Sequence, residues 1–446
     1  MRIRILGFGS IGRGLLSFLI HKGFNPRLTA VFDKDDTNAE LARQQGAQFV
    51  HIKVDRDNYQ WFVRTYCKAG DVLLNLAVEV SSINLLETTA PMGVHYLDTC
   101  VEPWTYRVSR DMRTNAELRT SILNVARVNR ERGHVATSLI AHGANPGLIT
   151  YFVKMGLHHL ADKFNLNLDG GMEQYGLLAR EIGVRVVQVA EHDTQTDDIP
   201  HKAGEFHNTW SVDGFKSELY QDAELGLGSH EHSWQDLTTH IAYETGACAI
   251  TFRHPARTAG YQQRVKTWTP GTGPSVGWLI THHEALSVNA MLRVTTDDGG
   301  ALNEVEHYAP TVYYAYQPCA KAQQAIQEMP YNSKAVIMKP TAGYDQLGAL
   351  LMYDGKHGSG AVWVGSTLDV KDCTIHNNPP TTQQVTASIW AGIEYMLNNP
   401  EWGVLEAEDL PWRDMLNLIS PYLGHISVEE TDWNPGSLQL QDFLIN

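Results

Sequence analysis

The chain opens on Arg2-Ile-Arg-Ile-Leu-Gly-Phe-Gly-Ser-Ile-Gly-Arg13, and no other stretch limits its fold as tightly. The apolar run Ile3, Ile5 and Leu6 predicts a strand, and Leu15, Leu16, Phe18, Leu19 and Ile20 recur at helical spacing behind it. Between them Gly7, Gly9 and Gly12 spell G-x-G-x-x-G, which permits a tight turn, close approach of backbone to a pyrophosphate, and close packing of helix on strand. The amides of Gly9, Ser10 and Ile11 would then face the phosphates at a helix N-terminus. A second apolar run, 28–32, ends at Asp33, 21 positions past Gly12, where an acid suits the ribose hydroxyls. A carboxylate there repels a 2′-phosphate, so the expected cofactor is NAD rather than NADP.

The next hundred residues continue the alternation. Strands are predicted over 49–54, 71–78, 94–99 and 134–141, with helices over 38–45, 59–66, 86–90 and 115–132 and Ser81 or Ser82 as a helix cap. Six apolar strands with crossover helices predict a Rossmann-type, doubly wound parallel sheet. Beyond Asn145 the segments lengthen and alternate, predicting a second α+β unit with a mixed or antiparallel sheet. Its strands are expected over 183–190, 247–253, 278–281, 290–295 and 311–316. A helix over 381–398 follows, carrying Val385, Ile389, Ile393 and Met396 on one stripe. The expected division is therefore a dinucleotide unit (1–142), a substrate unit (143–380) and a tail (381–446) that packs back on the first.

Composition narrows the partners. A net charge of −15 disfavours nucleic acid and anionic membrane surfaces and favours a small cation. No apolar run reaches the roughly 18 residues of a membrane span, and no secretory leader precedes the first strand, so a cytoplasmic location is expected. Cys67, Cys100, Cys248, Cys319 and Cys373 are scattered and odd in number, which reads as reduced thiols.

Ligands of open α/β sheets lie off the carboxyl ends of the strands. There stand Glu79 after the fourth strand, Thr99 and Glu102 after the fifth, and Asn145 after the sixth, where its amide suits the nicotinamide or an amine. In the second half, Glu191 follows an apolar run, Trp210 lies among acids that include Glu218 and Glu224, and His282, His283 and Glu284 follow a strand. A ring face flanked by carboxylates suits an alkylammonium ion, and a histidine beside an acid suits proton transfer near neutrality. His230 and His232 share one strand face and leave a metal pair open, but no H-E-x-x-H motif occurs and no metal is expected. A hydrolase elbow and a P-loop are also absent.

Four phrases in order, Ala141-His-Gly-Ala-Asn-Pro-Gly147, Ala190-Glu-His-Asp-Thr-Gln195, Glu205-Phe-His-Asn-Thr-Trp-Ser-Val-Asp-Gly-Phe215 and Pro310-Thr-Val-Tyr-Tyr-Ala-Tyr-Gln-Pro-Cys319, resemble bacterial homospermidine synthases, relatives of the saccharopine dehydrogenases. The resemblance spans nearly the whole chain. It implies an NAD-dependent enzyme, commonly a homodimer, that joins two putrescines with loss of ammonia, also accepts spermidine, and does not consume its NAD. It further implies substrate-binding acids at Glu191 and Glu218, a cation-binding ring at Trp210, and roles for Asn145, His282 and Glu284. Glu79, Glu102 and Asp345, the last within Gly343-Tyr-Asp-Gln346, are implied as further substrate-binding acids, and Thr99 and Asn145 as cofactor contacts. His283 departs from the family pattern and leaves open which histidine is functional.

Two rivals stand beside this reading. A saccharopine-type dehydrogenase with net redox turnover would need arginines for its substrate's carboxylates, for which Arg253, Arg257 and Arg264 are candidates. A non-catalytic NAD or polyamine sensor would leave the ionisable groups after so many strands unexplained.

Overall fold

The glycine loop joins a strand to a helix as its sequence requires. Strand β1 (Ile3–Leu6) is fully buried, Gly7 turns with φ +97°, and helix Ser10–His21 follows. The computed structural model describes residues 1–104, 114–167, 173–232, 240–244, 247–251, 259–296, 306–328 and 333–445.

Strands β2 (Thr29–Asp33), β3 (Gln48–His51), β4 (Val72–Asn75), β5 (His95–Asp98) and β6 (Ser138–Leu139) complete a parallel sheet. Among the described residues its order is β6-β5-β4-β1-β2-β3, the 3-2-1-4-5-6 order of a dinucleotide-binding sheet, with Val404–Leu405 added beside β6. The order reverses direction between β1 and β4, which opens the crevice where such sheets hold ligands. Helices Tyr59–Tyr66, Ser82–Thr89 and Asn115–Glu131 lie close to their expected ranges, and Ser81 caps the second by accepting the Asn84 amide.

The second sheet is mixed and has eleven strands among the described residues. At its centre, Val184–Asp193 pairs parallel with Thr311–Gln317 and antiparallel with Tyr344–Gly355. Tyr344–Gly355 turns back into Gly358–Asp369, forming a long hairpin that the sequence reading passed over. The strand expected over 290–295 is the end of helix Glu284–Leu292, with only Val294–Thr296 extended after it. This helix is buried on nearly every face, so it lacks the one-sided apolar stripe that marks a helix in sequence. Helix Leu148–Phe164 went unread for the same reason.

Two later segments return to the first sheet. Helix Pro380–Asn398 packs along Ser10–His21 so closely that a Cβ on Gly14 would stand 2.5 Å from the Thr382 methyl. Val404–Leu405 then joins the sheet edge. No helix of the described residues is long and apolar enough to cross a membrane.

Candidate active site

A cavity of about 150 Å³ lies between the carboxyl ends of the first sheet and one face of the second. Ile11, the stretch 75–78, Thr99, Cys100, Glu102 and Asn145 form one wall, while Glu191, Trp210, Glu218, Thr281, His282, His283 and Tyr314 form the other. The described lining contains several carboxylates and neither lysine nor arginine.

The glycine loop beside this cavity fits a dinucleotide. A Cβ on Gly12 would stand 2.2 Å from the Gly7 carbonyl oxygen, so the helix can sit this close only without one. A Cβ on Gly9 would meet nothing within 4 Å, which leaves open space above the loop for a phosphate. The helix start carries no acid in its first turn and no side-chain cap, so its amides are open to an anion. Asp33 holds the loop by accepting the Phe8 amide at 2.5 Å and the Asp35 amide at 2.8 Å, at the end of β2 where the ribose would lie. Ser10 is buried and its hydroxyl lies 3.3 Å from that of Thr382.

Trp210 owes its place to local sequence. Ser211 caps helix Val212–Tyr220 by accepting the Gly214 amide, and Trp210 just before the cap packs on Phe215 at 5.4 Å between ring centroids. This is a hydrophobic staple, which fixes how the chain enters the helix and sets Glu218 two turns further along it. The Trp210 indole N–H donates to the Tyr316 hydroxyl at 3.3 Å, and Tyr314 and Tyr316 stack at 5.5 Å. These tyrosines are two residues apart on one strand and therefore share a face. Tyr314 donates to Glu191 Oε2 at 2.7 Å, and Asn145 Nδ2 donates to the same oxygen at 3.0 Å. Burial dominates at Glu191 and pushes its carboxyl up to about 7, with the Asp193 charge adding to the rise and its hydrogen bonds opposing it.

His282 lies between two carboxylates. Its Nδ1 is 3.0 Å from Glu284 Oε1 and its Nε2 is 3.2 Å from Glu218 Oε2. Burial alone would lower its pKa, but Glu284 and Glu218 outweigh it and hold the imidazolium well above the ordinary histidine range. Glu284 is fully buried in the first turn of its helix, where a carboxylate also meets the positive end of the dipole. It does not reach the cavity lining. His283 is held by a separate set of groups: its Nε2 meets Glu406 Oε1 at 2.8 Å, and Arg119 donates two hydrogen bonds to the Glu406 carboxylate at 2.8 and 2.6 Å. Both histidines line the cavity, and they have different partners.

Other expected residues lie around the cavity. Asp345 is fully buried and stands one layer back, directly opposite Asp193 in the sheet and accepting from Thr381 Oγ1 at 2.7 Å. Burial, then the charges of Glu191 and Asp193, hold its carboxyl well above the usual range. Glu102 lines the cavity while its Oε2 accepts the Glu79 amide at 2.9 Å, and Glu79, with φ +61°, does not line it. Glu224 accepts the Asn115 and Ala116 amides at the start of helix Asn115–Glu131, so it caps that helix. His230 bonds the Leu438 carbonyl at 2.9 Å, and Glu231 accepts from Thr311 and the Leu440 amide, fastening the C-terminal segment. Arg264 lies over the Trp278 ring at 3.8 Å and outside the lining, while Arg253 and Arg257 fall outside the described residues. Tyr314, Tyr316, Arg119 and Glu406 were missed as site residues. The two tyrosines had a signal in their i, i+2 spacing beside a charged strand, whereas Arg119 and Glu406 had none.

Comparisons with known proteins agree with this architecture. Residues 3–137 match the saccharopine dehydrogenase NADP binding domain family. The homospermidine synthase of Blastochloris viridis is 36% identical over 97% of this chain and 92% of that protein. That of Mesorhizobium japonicum is 32% identical over 97% of this chain and 90% of that protein. The crystal structure of the Legionella pneumophila homospermidine synthase in complex with NAD superposes with a TM-score of 0.88 at 30% identity, covering 100% of this chain and 98% of that one. The glycine cradle, the acid-lined cavity and full-length relatedness converge, and the chain belongs to the homospermidine synthase family.

Proposed function

We propose that the protein is a homospermidine synthase that keeps its NAD through the cycle. It moves the aminobutyl group of one putrescine, or of spermidine, onto a second putrescine and releases ammonia, or 1,3-diaminopropane. The observation that carries this reading is the cavity lining: Glu102, Glu191, Glu218 and the Trp210 ring beside a dinucleotide cradle, with no lysine or arginine among the described lining residues. A diamine dication suits such walls, whereas the substrates of a saccharopine-type dehydrogenase bring carboxylates that would meet several acids and, among the described lining residues, no lysine or arginine.

Bound on the Gly7, Gly9 and Gly12 cradle, NAD supplies an acceptor for a hydride from the amine-bearing carbon and returns it to a later C=N bond. The protein's own groups do the rest. Trp210 attracts the distal ammonium through its ring face, and Glu191 and Glu218 neutralise its charge. Asn145, bonded to Glu191, orients the amide wall on the cofactor side. The buried tyrosine pair and the returning helix at Thr381 and Val385 keep water from the imine between the two half-reactions. A second amine attacks that imine, ammonia leaves, and the new C=N bond becomes a secondary amine.

The assignments of Glu79, Glu102, Asp345, Glu284 and Thr99 to substrate or cofactor belong to this proposal, as does the division at 1–142, 143–380 and 381–446. So do a homodimer and a cytoplasmic location, the latter in keeping with the free thiols of Cys67, Cys319 and Cys373. The test is purified protein with putrescine and sub-stoichiometric NAD, analysed by mass spectrometry of the amines. Homospermidine in excess over NAD is expected. Net NADH accumulation would instead indicate the dehydrogenase, and saturable binding without turnover the sensor.

A further inference from the structure

Amine oxidation by hydride loss requires a free amine, so some group must first take a proton from the reacting ammonium. The cavity offers two histidines. His282 has a carboxylate close to each ring nitrogen, Glu284 at 3.0 Å from Nδ1 and Glu218 at 3.2 Å from Nε2, which together hold it as the imidazolium with no lone pair to accept a proton, although Nε2 makes no hydrogen bond among the described residues. His283 has one nitrogen on Glu406 at 2.8 Å, and its Nδ1 is buried with no hydrogen-bond partner among the described residues. The His283 side chain is 4% exposed and lines the cavity.

Its place in the fold also matters. Glu406 follows Val404–Leu405 on the edge of the first sheet, Arg119 comes from the helix after β5, and Asp98 at the end of β5 lies within electrostatic reach of the ring. The next residues, Thr99 and Cys100, line the cavity on the cofactor side. His283 thus stands on the same wall as Trp210 and Glu218, and its partners Glu406 and Arg119 tie it to the elements of the first sheet.

We infer that His283 is the general base of the reaction, accepting the proton of the reacting ammonium at Nδ1, with Glu406 and Arg119 as positioning residues that fix the ring. The inference rests on the synthase reading above. In the step, one N–H bond of R–CH2–NH3⁺ breaks and an Nδ1–H bond forms, so the positive charge passes from amine to imidazole. The Nε2–H stays on Glu406, which fixes the tautomer that leaves Nδ1 free to accept. When the second amine has added as its free base to the iminium carbon, the attacking nitrogen gives one proton to solvent, the same imidazolium returns its proton to the departing nitrogen, and ammonia leaves with the C–N bonding pair as the new C=N bond forms; the secondary amine regains a proton from solvent after hydride return. No proton is gained or lost over the cycle. The charged groups facing the ring are Glu406, Arg119 and Asp98, with His282 and Glu284 beside it in the chain.

The test is His283→Gln, whose amide can keep the bond to Glu406 but cannot take a proton. Homospermidine formation by the NAD-loaded full-length protein is followed from about pH 7 to about pH 10, where an alkylammonium of pKa about 10.4 begins to lose its own proton. At the lower pH, kcat/KM is expected to fall by a factor on the order of 10² to 10³. The deficit should shrink as pH rises, added imidazole should restore part of the rate, and NAD content should be unchanged. Activity within about threefold of the parent, or a loss that is flat in pH and not rescued, overturns the inference. If that variant does not fold, Glu406→Gln serves instead: a displaced pH profile of kcat/KM supports the inference, and an unchanged one overturns it. A parent protein that makes no homospermidine at all refutes the underlying functional reading, an outcome distinct from either variant's result.

Discussion

The two later glycines of the opening loop make opposite predictions for the same substitution. In Gly12→Ala the new methyl would stand 2.2 Å from the Gly7 carbonyl oxygen and 3.1 Å from its carbon. Both are backbone atoms of the loop, so no side chain can swing away to make room. Alanine gains about 1 kcal/mol over glycine inside a helix, but overpacking of this kind costs about 1 to 3 kcal/mol, and the rigid obstacle puts the cost at the high end. Gly12→Ala should thus lose roughly 1 to 2 kcal/mol of stability with NAD removed. In Gly9→Ala the methyl meets nothing within 4 Å, and φ of −73° suits an L-residue, so stability should stay within about 0.5 kcal/mol. The methyl nevertheless enters the space a pyrophosphate would need. NAD affinity should fall at least about tenfold, or about 1.4 kcal/mol. Urea unfolding of the NAD-free proteins gives the first quantity, and titration calorimetry with NAD the second. Parent-like NAD binding by Gly9→Ala, or a Gly12→Ala protein as stable as the parent, would show that the loop does not work as described.

Three further substitutions probe the rest of the molecule. Arg119→Met leaves the buried Glu406 without its bidentate partner and should cost about 3 to 5 kcal/mol in urea unfolding, with much of the loss regained in Arg119→Met/Glu406→Met; a single variant within about 1 kcal/mol of the parent refutes this. Glu191 is raised from 4.5 to about 7 in the fold, so its contribution is fully present below about pH 4.5 and is lost as pH rises through 7. Glu191→Gln should flatten that decline of roughly 3 kcal/mol in unfolding experiments on the ligand-free protein at several pH values. Trp210→Ala should weaken putrescine binding by a factor of about 2 to 30, the worth of a cation–π contact of 0.5 to 2 kcal/mol, without changing NAD content. Unaltered diamine affinity would mean that the cation lies elsewhere.

The first sheet was legible because its signals are local. Glycine spacing, apolar runs and caps lie within a few residues of what they determine, and helix Tyr59–Tyr66 was read to the residue. The hairpin Tyr344–Gly355 with Gly358–Asp369 was not legible, since most of its central residues are buried on both faces and the period-two alternation that marks a strand is missing. Among the candidate residues, Asn145, Glu191 and Trp210 lie within the quoted motifs and Glu218 just beyond one of them, and all four line the cavity. The partners of His283 could not be named, because Glu406 is 123 residues from it and 287 from Arg119. No periodicity reaches across such distances.

What these long-range contacts add is a division of charge that explains how the cavity prefers a cation. Glu191, Asp193 and Asp345 share one face of the second sheet, and burial leaves each reluctant to ionise. His282 carries positive charge, but Glu218 and Glu284 already oppose it, and Arg119 is committed to Glu406. Arg119 does not act on Glu191, and His282, whose charge does, still leaves that carboxyl up at about 7. An ammonium entering beside Trp210 adds positive charge that favours the ionised form of Glu191 further. Binding a cation relieves a desolvation cost already present in the folded protein, whereas a neutral amine leaves that cost in place and an anion increases it. Selection for the protonated end of a diamine thus follows from carboxylates that burial keeps reluctant to ionise, while the reacting end must lose its proton near His283, which Glu406 and Arg119 tie to the first sheet.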